Sequence, residues 1–100
     1  MRRTTKESSL KRAAKDFLAY RQIKTWAIGA SAFHSRGLPD RIGVFKGRPL
    51  AIEFKSPKGK LSPEQKEFRE AWEGVGGIYI EARSIEDLVH ALGIKGLTLI

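Results

Sequence analysis

The chain has 100 residues, 41% of them hydrophobic, with 19 Lys and Arg against 11 Asp and Glu and a formal net charge of +8. That is one domain's worth of sequence, short enough that oligomerisation is a natural supplement to a thin stability margin. It has no cysteine and no long apolar run, which excludes a disulfide framework, a thiolate zinc site and a bilayer-spanning segment of roughly 20 residues.

The first apolar cluster is broken by Lys11, Arg12, Lys15 and Asp16, unlike a signal peptide, so the expected location is cytoplasmic. The basic excess suits a polyanionic partner, and nucleic acid is the commonest. An anionic membrane surface is disfavoured, because no stretch sets a broad apolar face against a purely basic one.

Residues 1–5 are expected to fray. Leu10, Ala13, Ala14, Phe17 and Leu18 recur at helical spacing and predict a helix over 5–21, with Thr4 and Glu7 spaced as a capping box. Glu7 precedes Leu10 and Ala14 by three and seven positions, so it shares the side of the apolar stripe, unusual for a solvated carboxylate. Lys24 to Ala30 reads as a short strand, and 29–37 as a loop carrying His34 and Arg36. Two further strands are predicted, Asp40–Phe45 and Pro49–Lys55, joined through a turn at Lys46 and Gly47 as a hairpin.

Residues 56–60 form a basic loop. Ser62, Pro63 and Gln65 supply an N-cap, a Pro at the first helical position and an N3 amide. The helix they start carries Phe68, Ala71, Trp72 and Val75 and stops at Gly76-Gly77. Gly77 to Arg83 alternates as a strand. Ser84 caps a last helix with Ile85, Leu88, Ala91 and Leu92, ended by Gly93. The order is α-β-β-β-α-β-α, a mixed α/β domain. Trp26 and Trp72 lie on apolar stripes and are expected in the core; His90 is assigned no role. An apolar tail runs from Ile94 to Ile100.

The chemistry concentrates on the hairpin. Side chains alternate along a strand, so Leu50, Ile52 and Phe54 share the core face while Ala51, Glu53 and Lys55 share the other. Glu53 and Lys55 are then about 7 Å apart along the strand. A two-residue turn at Lys46-Gly47 puts Phe45 opposite Arg48 and, in the same register, Asp40 opposite Glu53, about 5 Å apart. Two like charges so placed need compensation, and a divalent cation is the simplest source. Oxygen ligands without cysteine favour Mg²⁺ or Mn²⁺ over zinc. Such a cation acidifies water for attack on a phosphodiester and stabilises the charge that develops. The residues alone leave a plainer alternative open: a surface salt bridge between Glu53 and Lys55, with Asp40 as a turn residue.

Pro39-Asp40, with Glu53-Phe54-Lys55 following, resembles the PD-(D/E)XK nuclease signature. A wider run sharpens the likeness: Gly37-Leu38-Pro39-Asp40, Ile52-Glu53-Phe54-Lys55-Ser56, Gly59-Lys60-Leu61-Ser62-Pro63-Glu64-Gln65 and Gly76-Gly77-Ile78-Tyr79. It resembles the VRR-NUC subfamily, whose members include small stand-alone phage and bacterial nucleases, over nearly the whole chain.

The resemblance implies a restriction-endonuclease-like fold, a mixed central sheet flanked by helices. It implies Asp40 and Glu53 as metal ligands, the Phe54 backbone carbonyl as a third, and Lys55 as the catalytic lysine. Glu7 matches an acid on the first helix that completes the site or holds a second metal, though it could also only cap its helix. Gln65 matches a glutamine beside the active centre, and could equally serve only the Ser62 cap. Arg36, Arg41, Lys58 and Lys60 are candidate DNA phosphate contacts, and His34 a weaker one. The expected activity is Mg²⁺- or Mn²⁺-dependent cleavage of DNA, branched or Holliday-junction DNA in particular, by a homodimer with the 94–100 tail near its interface. The alternatives are a non-catalytic nucleic-acid-binding module and a nuclease acting on other polynucleotides.

Overall fold

The apolar stripe of the first helix finds its partner on one face of a four-stranded sheet. In the computed structural model, which describes residues 6–29 and 36–94, the elements are α1 (Lys6–Tyr20), β1 (Thr25–Ala27), β2 (Arg41–Phe45), β3 (Arg48–Phe54), α2 (Pro63–Gly74), β4 (Ile78–Ala82) and α3 (Ile85–Leu92). This is the predicted order, with strand ends shifted by a residue or so and β1 ending three residues early. The Thr4 cap, residues 1–5, His34 and the tail from 95 onward lie outside the described residues.

The sheet runs β1-β2-β3-β4. β1, β2 and β3 pair antiparallel, and β4 lies parallel to β3 after the α2 crossover. The β2–β3 turn has the predicted length. Lys46 and Gly47 both have positive φ, 49° and 79°, the conformation of a type I′ hairpin turn, whose twist matches that of its strands. Phe45 therefore pairs with Arg48, and the ladder runs back to Arg41 opposite Ile52. One more step in that register brings Asp40 level with Glu53.

On one face, Leu50, Ile52 and Phe54 of β3 join Ile80 and Ala82 of β4. Ala14 and Leu18 of α1 and Leu88 and Leu92 of α3 close over them. Phe54, Leu18, Leu50, Ile52 and Leu88 are fully buried; each such side chain contributes about 1.5–3 kcal/mol. Ser84 caps α3 by accepting from the Asp87 N–H at 3.2 Å, and Gly93 ends it in the left-handed region.

The opposite face is covered as well. Ala51 is 0% exposed and Glu53 only 6%, because β3 is an interior strand and α2 lies across this side. Helix α2 buries no residue completely. It is held instead by stacking of Phe68 on Trp72 (5.0 Å), by Phe68 against Tyr79 (6.1 Å) and by the Trp72 indole N–H donating to the Ile78 carbonyl at 3.1 Å. Trp72, expected in the core, is only half-buried, and Trp26, expected there too, is 59% exposed. It sits on the edge strand β1, paired with Ile42, on the side that α2 covers only over β3 and β4. Val75, expected on the α2 stripe, is 78% exposed, since the helix has ended before it.

Candidate active site

Three elements meet where β2 begins and β3 ends. Asp40 arrives on the segment before β2, and that segment is fixed by close packing. Gly37 has φ +89°, and a Cβ there would lie 2.5 Å from the Glu64 carbonyl oxygen. Only glycine lets the loop lie so near the first turn of α2. Pro39 behind it is fully buried. Asp40 then accepts the Phe54 backbone N–H on Oδ2 at 2.8 Å. A strand residue's N–H and C=O point to the same neighbour, so the Phe54 carbonyl faces the Asp40 side of β3.

Glu53 projects under the start of α2. Its Oε2 accepts from the Gln65 side-chain amide at 2.9 Å and lies 3.6 Å from the Lys55 Nζ. Its Oε1 is buried without a hydrogen-bond partner. Burial first, and the Asp40 carboxylate second, push the Glu53 carboxyl up to about 7. Lys55 and Lys11 pull the other way and do not cancel this. An orphaned buried oxygen is costly; beside a second carboxylate it is a place that a cation would complete.

Gln65 reconciles its two sequence readings. Its side-chain oxygen accepts from the Ser62 N–H at 2.8 Å and its backbone N–H donates to Ser62 Oγ at 3.1 Å, closing the capping box. The same amide then spends its N–H₂ on Glu53. The cap of α2 and the orientation of Glu53 are one device.

Glu7 meets Asp40 through an intermediary absent from the sequence reading. Lys11 Nζ lies 3.3 Å from Glu7 Oε2 and 3.6 Å from Asp40 Oδ1. Burial alone would lower the pKa of that ammonium, but the Asp40 and Glu7 carboxylates outweigh it and raise it. The Glu7 side chain is 41% exposed. Lys11 was detectable as the i+4 partner of Glu7; its reach to Asp40 was not.

Glu81, also unremarked in the sequence, lies beside Glu53 in the parallel register. Arg83 at 2.6 Å and Arg69 at 4.0 Å neutralise it, and Arg83 also donates to the Gly59 carbonyl. The Tyr79 hydroxyl on this face is buried without a partner. Burial, then Glu53 and Glu81, hold its phenol above the ordinary range.

The residues present suit a hard divalent cation. Asp40 Oδ1, Glu53 Oε1 and the Phe54 carbonyl are oxygen donors, and Mg²⁺ takes one or two carboxylates while keeping several waters. Among the described residues no three His, Cys, Asp or Glu side chains gather into a metal cluster, so Glu7 does not join Asp40 and Glu53 as a third carboxylate. Of the candidate phosphate contacts, Arg41 lines the cleft at Asp40, together with Lys11, Arg12 and Lys15. Arg36, Lys58 and Lys60 are exposed and do not line it.

No protein-family model and no curated protein matches this sequence, and among the described residues no helix is long and apolar enough to cross a membrane. A solved structure described as a "VRR_NUC domain" superimposes with a TM-score of 0.74 at 20% identity, over 90% of this chain and 97% of that one. The four-stranded mixed sheet, its flanking helices and the order α-β-β-β-α-β-α are therefore the fold of a VRR_NUC domain.

Proposed function

We propose that the protein is a Mg²⁺- or Mn²⁺-dependent endonuclease that hydrolyses DNA phosphodiester bonds, with branched DNA as its preferred substrate. The observation that carries this reading is the half-completed carboxylate pair. Asp40 has Oδ2 engaged by the Phe54 N–H and Oδ1 facing only the Lys11 ammonium, and Glu53 has Oε2 engaged by Gln65 and Lys55. The Glu53 Oε1 has no partner. The other structure's name as a nuclease-type domain supports the same reading.

When bound, the cation supplies a Lewis acid that offsets charge on the phosphoryl oxygens and makes an attacking water more acidic. Asp40 Oδ1, Glu53 Oε1 and the Phe54 carbonyl would hold it. Gln65 fixes the Glu53 carboxylate through Oε2 and leaves Oε1 without a protein partner. Lys55, with a side chain only 17% exposed, is a shielded ammonium that neutralises the scissile phosphate or positions the water. Glu7 acts through Lys11 on Asp40. The basic residues around the cleft supply affinity through counterion release.

Preference for four-way junctions requires paired cuts on symmetry-related strands, which a two-fold dimer of this chain would deliver. Labelled linear, flap and four-way DNA incubated with Mg²⁺, Mn²⁺ or EDTA test the whole reading. We expect metal-dependent cutting, fastest on branched substrates and abolished by chelation. Full activity in EDTA removes the metal centre. Tight binding with no cutting of any substrate would leave a binding module. A monomeric mass by light scattering together with paired cuts would remove the dimer.

A further inference from the structure

Arg41 follows Asp40 directly and is held unusually firmly for a cation at a cleft. Its Nε donates to Thr25 Oγ1 at 3.0 Å and one Nη to the Thr25 carbonyl at 3.4 Å. Its side chain is half-buried. Among the described residues it enters no ion pair, and neither do Arg12, Lys15 or Lys24. A partly desolvated guanidinium in a fixed orientation, with no anion to offset it, is a cost that an anionic ligand removes.

The space around it has the shape for such a ligand. A cleft of about 370 Å³ opens at Asp40 and is walled by Lys11, Arg12, Lys15 and Arg41. A second, of about 280 Å³, continues along Lys15, Gln22, Lys24, Thr25 and Arg41. They share Lys15 and Arg41, so together they form one groove between α1 and β1. Among the described residues its cations are Lys11, Arg12, Lys15, Lys24 and Arg41, and its one acid is Asp40. Among the described residues the one aromatic in its wall, Phe54, is 1% exposed, so none of them offers a platform on which a base could stack. The groove is built to read charge and spacing.

We propose that this groove binds the sugar-phosphate backbone of the strand being cut, on one side of the scissile bond, with Arg41 gripping the first phosphate beyond it and Arg12, Lys15 and Lys24 the next ones. The location of the scissile bond rests on the nuclease reading above; the groove's affinity for a polynucleotide backbone does not. Binding is independent of base sequence, because every contact is to phosphate.

The test measures the affinity of a fluorescent single-stranded oligodeoxynucleotide in EDTA across a salt series. Arg12, Lys15 and Lys24 are exposed, so their substitution by Gln leaves the fold intact. Each lost phosphate contact lowers the slope of log K against log salt by about 0.7 for a single strand. The double variant Arg12→Gln/Lys15→Gln is expected to lower it by about 1.4, and addition of Lys24→Gln by about 2 in all. The variant Lys46→Gln/Lys66→Gln loses the same charge outside the groove and is expected to lower it by less than about half as much. Hydrolysis of bis(p-nitrophenyl) phosphate by the wild type, a diester too small to occupy the groove, reports the active centre separately. Equal slope losses in the two doubles, or no loss in the groove double, overturn the proposal. Absence of diester hydrolysis in the wild type would count against the nuclease reading alone, since the slopes decide the groove without it.

Discussion

The two flanks of β3 treat neighbouring carboxylates in opposite ways. Toward β4, Glu81 is closed off: Arg83 and Arg69 pair with it, and Arg83 is itself tied to the Gly59 carbonyl. Toward β2, Glu53 faces another acid, Asp40, and receives only one amide and one lysine while its Oε1 has no partner. The two glutamates are adjacent in the same register, yet one is a finished ion pair and the other is unfinished. An acid on a sheet face is thus not informative by its presence. What marks it is whether the protein has completed its coordination.

The sharpest way to break that contrast is to neutralise each acid in turn. Glu53→Gln is expected to lower cleavage about 10²–10⁴-fold, and Lys55→Ala likewise, with DNA binding at low salt retained. Glu81→Gln, which removes a structural partner only, is expected to change the rate by no more than a few fold. Equal losses at the two glutamates, read in a single-turnover assay, would erase the distinction.

Stability should respond in the reverse sense. A carboxyl with a folded pKa of about 7 against an unfolded value of 4.5 keeps a proton in the native state that the unfolded chain has released. The metal-free protein therefore loses stability as pH rises from about 4.5 to about 7, by on the order of 2–3 kcal/mol, and levels off above. Glu53→Gln removes that loss and is expected to be the more stable protein at pH 8 without metal, whereas Glu81→Gln costs roughly 0.5–1 kcal/mol. Added Mg²⁺ should raise the wild-type melting temperature at pH 8 and leave that of Glu53→Gln almost unmoved. Thermal melts at pH 5 and 8, with and without Mg²⁺, read all of these shifts. A wild type that gains stability between those pH values would contradict the unfinished state of Glu53.

Gly37→Ala tests how the β2 flank is held in place. Its Cβ would collide with the backbone of Glu64 at a positive φ, so a loss of roughly 2–3 kcal/mol is expected from strain at a position closed to other residues. Cleavage should fall beyond what the lost folded fraction explains, because Asp40 is displaced. Urea titration with activity measured at saturating metal separates the two effects.

The smallest expected effect concerns Lys11, whose ammonium already lies between Glu7 and Asp40. A cation at Asp40 competes with it. Lys11→Met should therefore tighten Mn²⁺ binding about three- to tenfold, a change of about 1 kcal/mol, measured by electron paramagnetic resonance without DNA. Weaker Mn²⁺ binding in this variant would mean that Lys11 supports the metal's ligands and does not oppose the metal.

Local rules carried the secondary structure far. The type I′ turn at Lys46-Gly47, the caps at Ser62 and Ser84 and the stop at Gly93 are short-range signals, and each is where the spacing put it. Because strand periodicity and turn length together set register, the Asp40–Glu53 juxtaposition was legible as well. Trp26 was misplaced because alternation along a strand does not tell an edge from a centre. The burial of Ala51 and Glu53 was not legible for the related reason that crossover packing by α2 is a long-range event.

By itself the sequence determined the element order, the hairpin register and therefore the pair of acids and the lysine beside them, since these follow from chemistry within a few residues. The tertiary structure alone decided what those groups feel. Only the packing of α2 could strip water from Glu53 and send Gln65 to one of its oxygens. Only the approach of α1 to β1 and β2 could bring Lys11 to Asp40 and align Arg12, Lys15, Lys24 and Arg41 along one groove. Desolvation and electrostatic fields depend on distances through space, and residues far apart in the chain acquire those distances only when the sheet and its helices close.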